Sequence, residues 1–136
     1  MNKEEIKNML PHRDNMLLID EAVENGKAYG SYTVRGNEFF LNGHFPGNPV
    51  VPGVMLCEMM AQVCCVLLYG KTESKTPFFT SLNNVKFKNI VKPGDTVLFE
   101  CEMTAEKLPF YFAKGKGLVN GKLSVSGEFS FALIDK

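Results

Sequence analysis

The chain has 136 residues, enough for one domain with a real hydrophobic core and too few for two ordinary domains. With 45% hydrophobic and 22% charged residues, its composition is that of a folded protein rather than a disordered one. Fifteen basic residues balance 15 acidic ones, so no net charge attracts nucleic acid or an anionic membrane. We therefore expect a single domain over residues 1–136 that binds neither.

The N-terminus and the most apolar stretch both argue against a targeting or membrane segment. The N-terminal segment MNKEEIKNMLPHRD carries acidic residues and no apolar run, unlike a signal peptide. Residues 54–69 are strongly apolar but interrupted by Glu58 and Gln62, and they fall short of the roughly 20 apolar residues that span a bilayer. The 4 cysteines form no CxxC pair, so neither a zinc site nor a redox motif is indicated. We expect a cytoplasmic protein with reduced thiols.

The N-terminal part of the chain predicts short elements. Residues 3–9 are expected to form a short helix, and residues 16–23 a strand. Asn25-Gly26 is typical of a type I′ turn, because both central positions of that turn need positive φ. Residues 27–34 then form the returning strand of a hairpin.

A loop rich in Gly, Pro and Asn, residues 36–53, leads into the apolar segment. We expect this loop to be structured because it also holds Phe39, Phe40, Leu41 and Phe45. Residues 54–69 are predicted to be a helix from their length, their Met and Leu content and the Pro-Gly pair ahead of them, although three valines leave a strand conceivable. All but two of these residues are apolar or cysteine, so other elements are expected to surround the helix.

After Pro77, apolar and polar residues alternate as in half-buried antiparallel strands. One strand is predicted over residues 97–105 and another over residues 123–133. Turns are predicted at Pro93-Gly94-Asp95 and at Asn120-Gly121, the second joining residues 110–119 to the last strand. The apolar face of the first strand is Val97, Phe99, Cys101, Met103 and Ala105, and the polar face of the second is Ser124, Ser126, Glu128 and Ser130. The pattern indicates an α+β fold, in which five or six antiparallel strands curl around one buried helix.

Two polar residues on the apolar helix form the first candidate site. Glu58 and Gln62 are four positions apart, so they lie on one face, one turn from each other. A buried carboxylate without a partner is costly when it is ionised, and this favours the protonated form that a general acid needs. The alternative is that Glu58 faces solvent or pairs with a lysine, as most glutamates do.

A histidine and a glycine flank this carboxylate in the sequence. His44 lies in the loop, and histidine is the usual base near neutral pH, although a structural role is an alternative and His12 competes for the same part. Pro52-Gly53 leads into the helix, where backbone N–H groups point outward at the positive end of the dipole. Gly53 would let a carbonyl approach those donors, so it is a candidate oxyanion site; a plain helix-start turn is the alternative.

The same residues form a pattern that resembles a known family. The pattern consists of Asn37-Glu38, Gly43-His44-Phe45-Pro46-Gly47, Pro49-Val50, Pro52-Gly53-Val54, Glu58 and Ala61-Gln62. It resembles the signature of the beta-hydroxyacyl-(acyl-carrier-protein) dehydratases of bacterial dissociated fatty-acid synthesis. The likeness continues in Leu10-Pro11-His12-Arg13, in Leu17-Leu18-Ile19-Asp20 and in Val85-Lys86-Phe87-Lys88 with Pro93-Gly94-Asp95, so it covers nearly the whole chain.

The resemblance implies an assembly and a substrate. The fold would be the hot-dog fold, a long central helix wrapped by a curved antiparallel sheet. Two chains would form a homodimer with active sites between the subunits, and family members often assemble further into trimers of dimers. The substrate would be a (3R)-3-hydroxyacyl chain on the phosphopantetheine arm of acyl carrier protein, converted to the trans-2-enoyl product. No metal and no organic cofactor is implied.

The resemblance also implies roles for individual residues. His44 would be the base at C2, and Glu58 the acid that protonates the leaving C3 hydroxyl. The Gly53 N–H would polarise the thioester carbonyl, and Gln62 would orient Glu58. Val54, Phe45 and Phe78 would contact the substrate, Phe78 at a position near the tunnel mouth that often carries tyrosine.

Three departures from the family pattern, at Phe39-Phe40-Leu41, Phe78 and Lys86, concern specificity rather than chemistry. Phe39-Phe40-Leu41 stands where the family often has Pro-Phe-Phe, and Lys86 stands where arginine is common, which leaves chain length and carrier docking open. Glu58 in place of aspartate favours the dehydrating branch over the classical dehydratase–isomerase branch.

A carrier protein is acidic, so local lysines are candidate contacts despite the neutral net charge. The candidates are Lys86, Lys88 and Lys92, or Lys114 and Lys116, and the alternative is that these are solvated strand-edge lysines. Two other functions remain open at this stage: a hot-dog thioesterase, and a non-catalytic acyl-thioester binding protein.

Overall fold

The structure, a computed structural model, describes Glu4, Ile19 and residues 21–24, 27–41, 49–68 and 75–135. Most of the predicted helix over residues 3–9 and the Asn25-Gly26 turn lie outside these residues. The elements are β1 Glu21–Glu24, β2 Ala28–Thr33, a 3₁₀ turn Phe39–Leu41, helix α1 Gly53–Cys64, a second 3₁₀ turn Cys65–Leu68, β3 Lys75–Phe87, β4 Thr96–Lys107, β5 Phe110–Val119 and β6 Lys122–Asp135.

The strands form one antiparallel sheet in the order β1-β2-β4-β5-β6-β3. Strand β3, which precedes β4 in the chain, lies at one edge and pairs only with β6 within the described sheet. The predicted α+β fold, a buried helix packed on antiparallel strands, is therefore confirmed.

Two turns have the backbone that their sequences predict. Asn120 and Gly121 both have positive φ, 51° and 79°, as a type I′ turn between paired strands requires. Gly94 has a φ of 94°, and the Asp95 N–H donates to the Lys92 carbonyl oxygen at 3.0 Å, so Pro93 and Gly94 occupy the centre of a type II turn.

Buried and exposed side chains alternate along β4 only as far as its pairing with β5 stays in register. Val97, Phe99 and Cys101 are buried, while Leu98 is 58% exposed. The pairing with β5 shifts between Met103 and Ala105, which is a β-bulge. Ala105 is therefore exposed, and its predicted place on the buried face is wrong.

The polar face of β6 is more buried than the alternation predicts. Ser124 and Ser130 were expected to point away from the apolar face toward solvent, yet they are 0% and 4% exposed. β6 is an interior strand, and the Ser130 hydroxyl is hydrogen-bonded to Thr80 Oγ1 (2.6 Å) and Ser81 Oγ (2.5 Å) on β3. A hydroxyl with such partners can be buried at little cost.

Helix α1 packs on one face of the sheet and contacts β2, β4, β5 and β6. Its residues from Leu56 onward are buried except Glu58, as the apolar sequence predicts, whereas Val54 in the first turn is 69% exposed. The regular helix ends at Cys64, and the 3₁₀ turn continues to Leu68. Among the described segments, none of the helices has the length and apolar character that a membrane crossing requires.

A glycine in the sheet allows the helix to approach closely. A Cβ on Gly115 would lie 2.9 Å from Cys101 Sγ on β4 and 3.1 Å from Met60 Cγ on the helix, so a larger residue would require these side chains to shift. The 4 cysteines are free and buried, and burial raises the pKa of the Cys64 and Cys101 thiols.

Candidate active site

Glu58 and Gln62 meet on one side of α1, as their spacing predicts. The Gln62 side-chain amide donates to Glu58 Oε1 at 3.2 Å. Gln62 is only 1% exposed, whereas Glu58 is half-buried. The buried amide therefore holds one carboxylate oxygen from the protein side, while the Glu58 side chain as a whole is only half-buried.

The Glu58 carboxyl group borders a small cavity of about 30 Å³. This Glu58 cavity is lined by Glu58, Ala61, Gln62, Cys65, Pro77, Phe78, Phe79 and Phe131. The lining comes from the helix side, from β3 and from β6, and it is mostly apolar. A single carboxyl group beside an apolar cavity is the arrangement expected where an acid acts on one bond of an apolar chain.

The structure brings Phe78 to Glu58 but places Gly53 and Val54 elsewhere. Phe78 lines the Glu58 cavity, whereas Gly53 and Val54 line a separate groove of about 450 Å³ beside Phe87. Val54, Glu58 and Gln62 follow one another at intervals of four, so one helix face connects the groove with the cavity.

Gly53 is the first residue of α1, so its N–H has no acceptor within the helix. A Cβ at Gly53 would lie 2.7 Å from Cζ of Phe87, which shows how closely the ring covers this position. The N–H at the positive end of the helix dipole is a chemically suitable donor to a carbonyl oxygen.

The predicted residues His44 and Phe45, and the competing His12, lie outside the described residues.

Glu38 stabilises the chain that leads toward the His44 segment. The carboxylate of Glu38 accepts hydrogen bonds from the N–H of Arg35 (2.9 Å), the N–H of Gly36 (2.8 Å) and the hydroxyl of the buried Tyr32 (2.7 Å). Burial raises the pKa of Glu38, but these hydrogen bonds lower it more, so the pKa lies below its ordinary value.

Four residues of the cavity were not singled out from the sequence, either as site residues or in the family pattern: Cys65, Pro77, Phe79 and Phe131. Cys65 belongs to the apolar segment and Phe131 to the apolar face of β6, so both were expected only as core residues. Periodicity identifies a buried face, but it does not distinguish a residue that packs in the core from one that borders a cavity.

The two candidate groups of lysines differ in their partners. Lys114 pairs with Glu102 at 2.9 Å and Lys116 with Glu100 at 3.5 Å, and the same glutamates lie near Lys27. These lysines lie within a charge network of the sheet surface. By contrast Lys86, Lys88 and Lys92 are exposed and make no ion pair with any described residue. In the described part of the chain, no three His, Cys, Asp or Glu side chains cluster so as to hold a metal ion.

One helix on a six-stranded antiparallel sheet, with a carboxyl group of the helix beside an apolar cavity, defines a hot-dog domain. Solved structures share this fold. The dehydratase heterocomplex ApeI:P from Xenorhabdus doucetiae matches with a TM-score of 0.80 and 20% identity over 96% of this chain and 91% of that chain. The E. coli PaaI protein matches with a TM-score of 0.60 and 14% identity over 84% of this chain and 78% of that chain.

The chain belongs to the family of FabA-like domains, whose family model matches residues 10–128. The 3-hydroxyacyl-[acyl-carrier-protein] dehydratase FabZ of Caldicellulosiruptor saccharolyticus is 44% identical over 94% of this chain and 95% of that protein. The protein of the same name from Clostridium perfringens (strain SM101) is 42% identical over 98% of this chain and 99% of that protein. The family predicted from the sequence pattern is confirmed.

Proposed function

We propose that this chain eliminates water from a (3R)-3-hydroxyacyl thioester on acyl carrier protein, with Glu58 and His44 performing the proton transfers. The predicted reaction class, a hydro-lyase of fatty-acid biosynthesis, is confirmed by relatives that are 42% and 44% identical along almost their whole length. The observation that carries the residue assignment is the half-buried Glu58 carboxyl group, held by the Gln62 amide beside an apolar cavity.

The elimination needs one base, one acid and one polarised carbonyl. His44 removes the proton from C2, while the N–H of Gly53 accommodates the negative charge that develops on the thioester oxygen. Glu58 gives its proton to the C3 hydroxyl, which leaves as water, and the C2–C3 double bond forms. Each proton transfer by a positioned group contributes about 10²–10⁴-fold to the rate, and one oxyanion donor about 10²–10³-fold.

The reaction is tested in the reverse direction, because hydration passes through the same transition state. A trans-2-enoyl carrier protein is incubated with the wild type, and the conjugated enoyl absorbance is followed. Glu58→Gln should lose at least about 10²-fold in rate. Glu128→Gln is the matched control, because Glu128 is exposed on β6 and does not line the Glu58 cavity. Release of free thiol without hydration would support a thioesterase instead, and ligand binding without either reaction would support a binding protein.

We infer that two copies pair through β3 and share their sites. This strand ends the sheet and exposes apolar side chains: Phe78, Phe79, Leu82 and Phe87 are 51%, 39%, 44% and 53% exposed. A long exposed edge with apolar side chains is unfavourable for a lone chain, and pairing with a second copy would cover it. A two-fold contact of this kind is self-complementary, because the same strand faces itself.

Mixing two inactive variants tests whether the site is shared. If His44 and Glu58 of one site come from different subunits, re-equilibrated His44→Ala and Glu58→Gln proteins should regain up to about a quarter of the wild-type activity. Half of the dimers are then mixed, and each mixed dimer has one intact site. Light scattering distinguishes a dimer from a trimer of dimers. A monomeric mass with full activity would disprove the shared site.

We further propose that the carrier protein docks at Lys86, Lys88 and Lys92. Lys88 lines the groove that also contains Gly53, while Lys114 and Lys116 form ion pairs with glutamates. Lys88→Gln should raise the KM for a carrier-linked enoyl substrate and leave a coenzyme A substrate unaffected, and Lys114→Gln is the control. An equal effect of both variants would argue against this docking surface.

The remaining parts of the proposal concern the chain as a whole. We propose that residues 1–136 form one domain, because the sheet extends from β1 to the last described residues in β6 and includes every strand between them. We also propose a cytoplasmic location, because the buried cysteines are unpaired and thiols stay reduced in that compartment.

A further inference from the structure

Two aromatic rings stand between the Glu58 cavity and a second, larger groove. Phe131 lines the Glu58 cavity, and Tyr111 lines a groove of about 310 Å³. The two residues are directly opposite on β6 and β5, and their rings are stacked with centroids 5.7 Å apart and planes inclined by 17°. We call Phe131 and Tyr111 the aromatic wall.

The second groove is apolar where it meets the wall. It is lined by Leu67, Leu68, Met103, Thr104, Ala105, Glu106 and Tyr111. The 3₁₀ turn after α1 borders both spaces, since Cys65 lines the Glu58 cavity and Leu68 lines the groove. The sulfur atoms of Cys64 and Met103 lie 3.6 Å apart beside the wall. The 3₁₀ turn is therefore the element that the two linings share.

The wall is firmly packed. Phe131 and Tyr111 are 2% and 4% exposed, and Phe129 stacks on the other side of Phe131 with ring centroids 6.3 Å apart. Rings held in this way in a densely packed interior do not yield to an extra methylene without displacing their neighbours. The Glu58 cavity, at about 30 Å³, is much smaller than the groove of about 310 Å³ on the other side of the wall.

We propose that the aromatic wall limits the length of acyl chain that the enzyme accepts. This inference rests on the proposed function, since it assumes that the substrate lies against Glu58 with its chain directed into the cavity. A chain entering past Phe78 meets Phe131 at the far side. Short chains fit in front of the wall, and removal of either ring would open the path to the groove beside Leu68 and Met103.

The test compares two leucine substitutions of equal size. Phe131→Leu shortens the wall. Phe99→Leu is the matched control, because Phe99 is equally buried, lies on β4 and lines neither space. For each protein, kcat/KM is measured for hydration of a crotonyl and of a trans-2-decenoyl carrier protein. The ratio of the long substrate to the short one is the readout, because a general loss of stability does not change it.

Phe131→Leu should raise this ratio about tenfold or more, since even one methylene that fits or fails to fit a pocket is worth roughly that factor. Phe99→Leu should leave it within about twofold of the wild type. Tyr111→Leu, which shortens the wall from the groove side, should also raise the ratio and replaces Phe131→Leu if that variant does not fold.

Two results would overturn the proposal in different ways. If the wild type is active and Phe131→Leu leaves the ratio unchanged, or Phe99→Leu changes it equally, the wall does not determine chain length and the dehydratase activity still stands. A wild type that hydrates neither substrate would overturn the proposed function, and the role of the wall with it.

Discussion

Replacing Gly53 by alanine separates the role of this residue in the reaction from its role in packing. A Cβ there would lie 2.7 Å from Cζ and 2.8 Å from Cε1 of Phe87. Carbon atoms normally remain about 3.5–4.0 Å apart, so the ring must move by roughly 1 Å. Phe87 is 53% exposed at the end of β3, and its ring can therefore turn toward solvent without leaving a hole in the core.

The expected effect on stability is small and the expected effect on rate is large. Displacing a half-exposed ring costs up to about 1 kcal/mol, while alanine restricts the unfolded chain and stabilises by about 0.4–1 kcal/mol. The free energy of unfolding should therefore stay within about 1 kcal/mol of the wild type. If the Gly53 N–H is the proposed oxyanion donor, the new methyl group obstructs the thioester carbonyl, and loss of one such donor lowers the rate about 10²–10³-fold.

Urea unfolding measures the first quantity, and hydration of a crotonyl carrier protein measures the second. Gly53→Ala combined with Phe87→Ala is the control, because it removes the displaced ring but keeps the methyl group. Its activity should remain low. Recovery in the double variant would mean that the moved ring caused the loss, and a near-normal rate in Gly53→Ala alone would refute the assignment of this N–H.

Three further predictions concern the packing and ionisation of the fold. Gly115→Ala should lower the free energy of unfolding by about 1–3 kcal/mol, because the buried Cys101 cannot move aside; Cys101→Ala should relieve part of this loss in urea unfolding, and strict additivity would contradict the close contact. The folded pKa of Glu38 lies below its ordinary value of 4.5, so the ionised form stabilises the protein above that pH and the contribution is lost as the pH falls through the folded pKa. Acid unfolding of Glu38→Gln should accordingly be less steep between about pH 5 and 3 than that of the wild type, and identical curves would exclude this carboxyl group as a source of the pH dependence. The buried thiols, with pKa values raised by burial at Cys65 and Cys101, should react with a disulfide reagent only on unfolding; rapid reaction of the native protein would show that they are accessible.

Local sequence patterns correctly predict the turns and strand faces that do not depend on contacts with distant parts of the chain. The Asn120-Gly121 turn and the alternation of β4 up to Cys101 follow from backbone preferences and a period of two. The errors occur where a partner far along the chain decides the outcome. Ala105 is exposed because the pairing with β5 shifts, and Ser130 is buried because β3 supplies hydrogen-bond partners for its hydroxyl group.

The candidate site also combines residues that local spacing predicts with residues that only tertiary contacts bring together. Glu58 and Gln62 lie on one helix, so their spacing alone predicts that they meet. Phe131 reaches the same cavity only because β6 pairs with β3, and Gly53 lines a different groove although it is close in sequence. The proposal that Gly53, Glu58 and His44 act in one reaction therefore rests on the resemblance to the family, because local patterns do not predict contacts between separate elements.

The position of β3 in the sheet also bears on how the chain folds. β5 and β6 are joined by a two-residue turn, so this hairpin forms from local contacts on a timescale of microseconds. β3 instead pairs with β6, the last strand of the described chain, so it cannot join the sheet before β6 has formed. The pair Lys75–Asp135 closes a loop that contains all the residues between them. Closing such a long loop is slow. The strand that carries Phe78 therefore joins late, so a partly folded chain has no assembled site and cannot bind substrate before its sheet is complete.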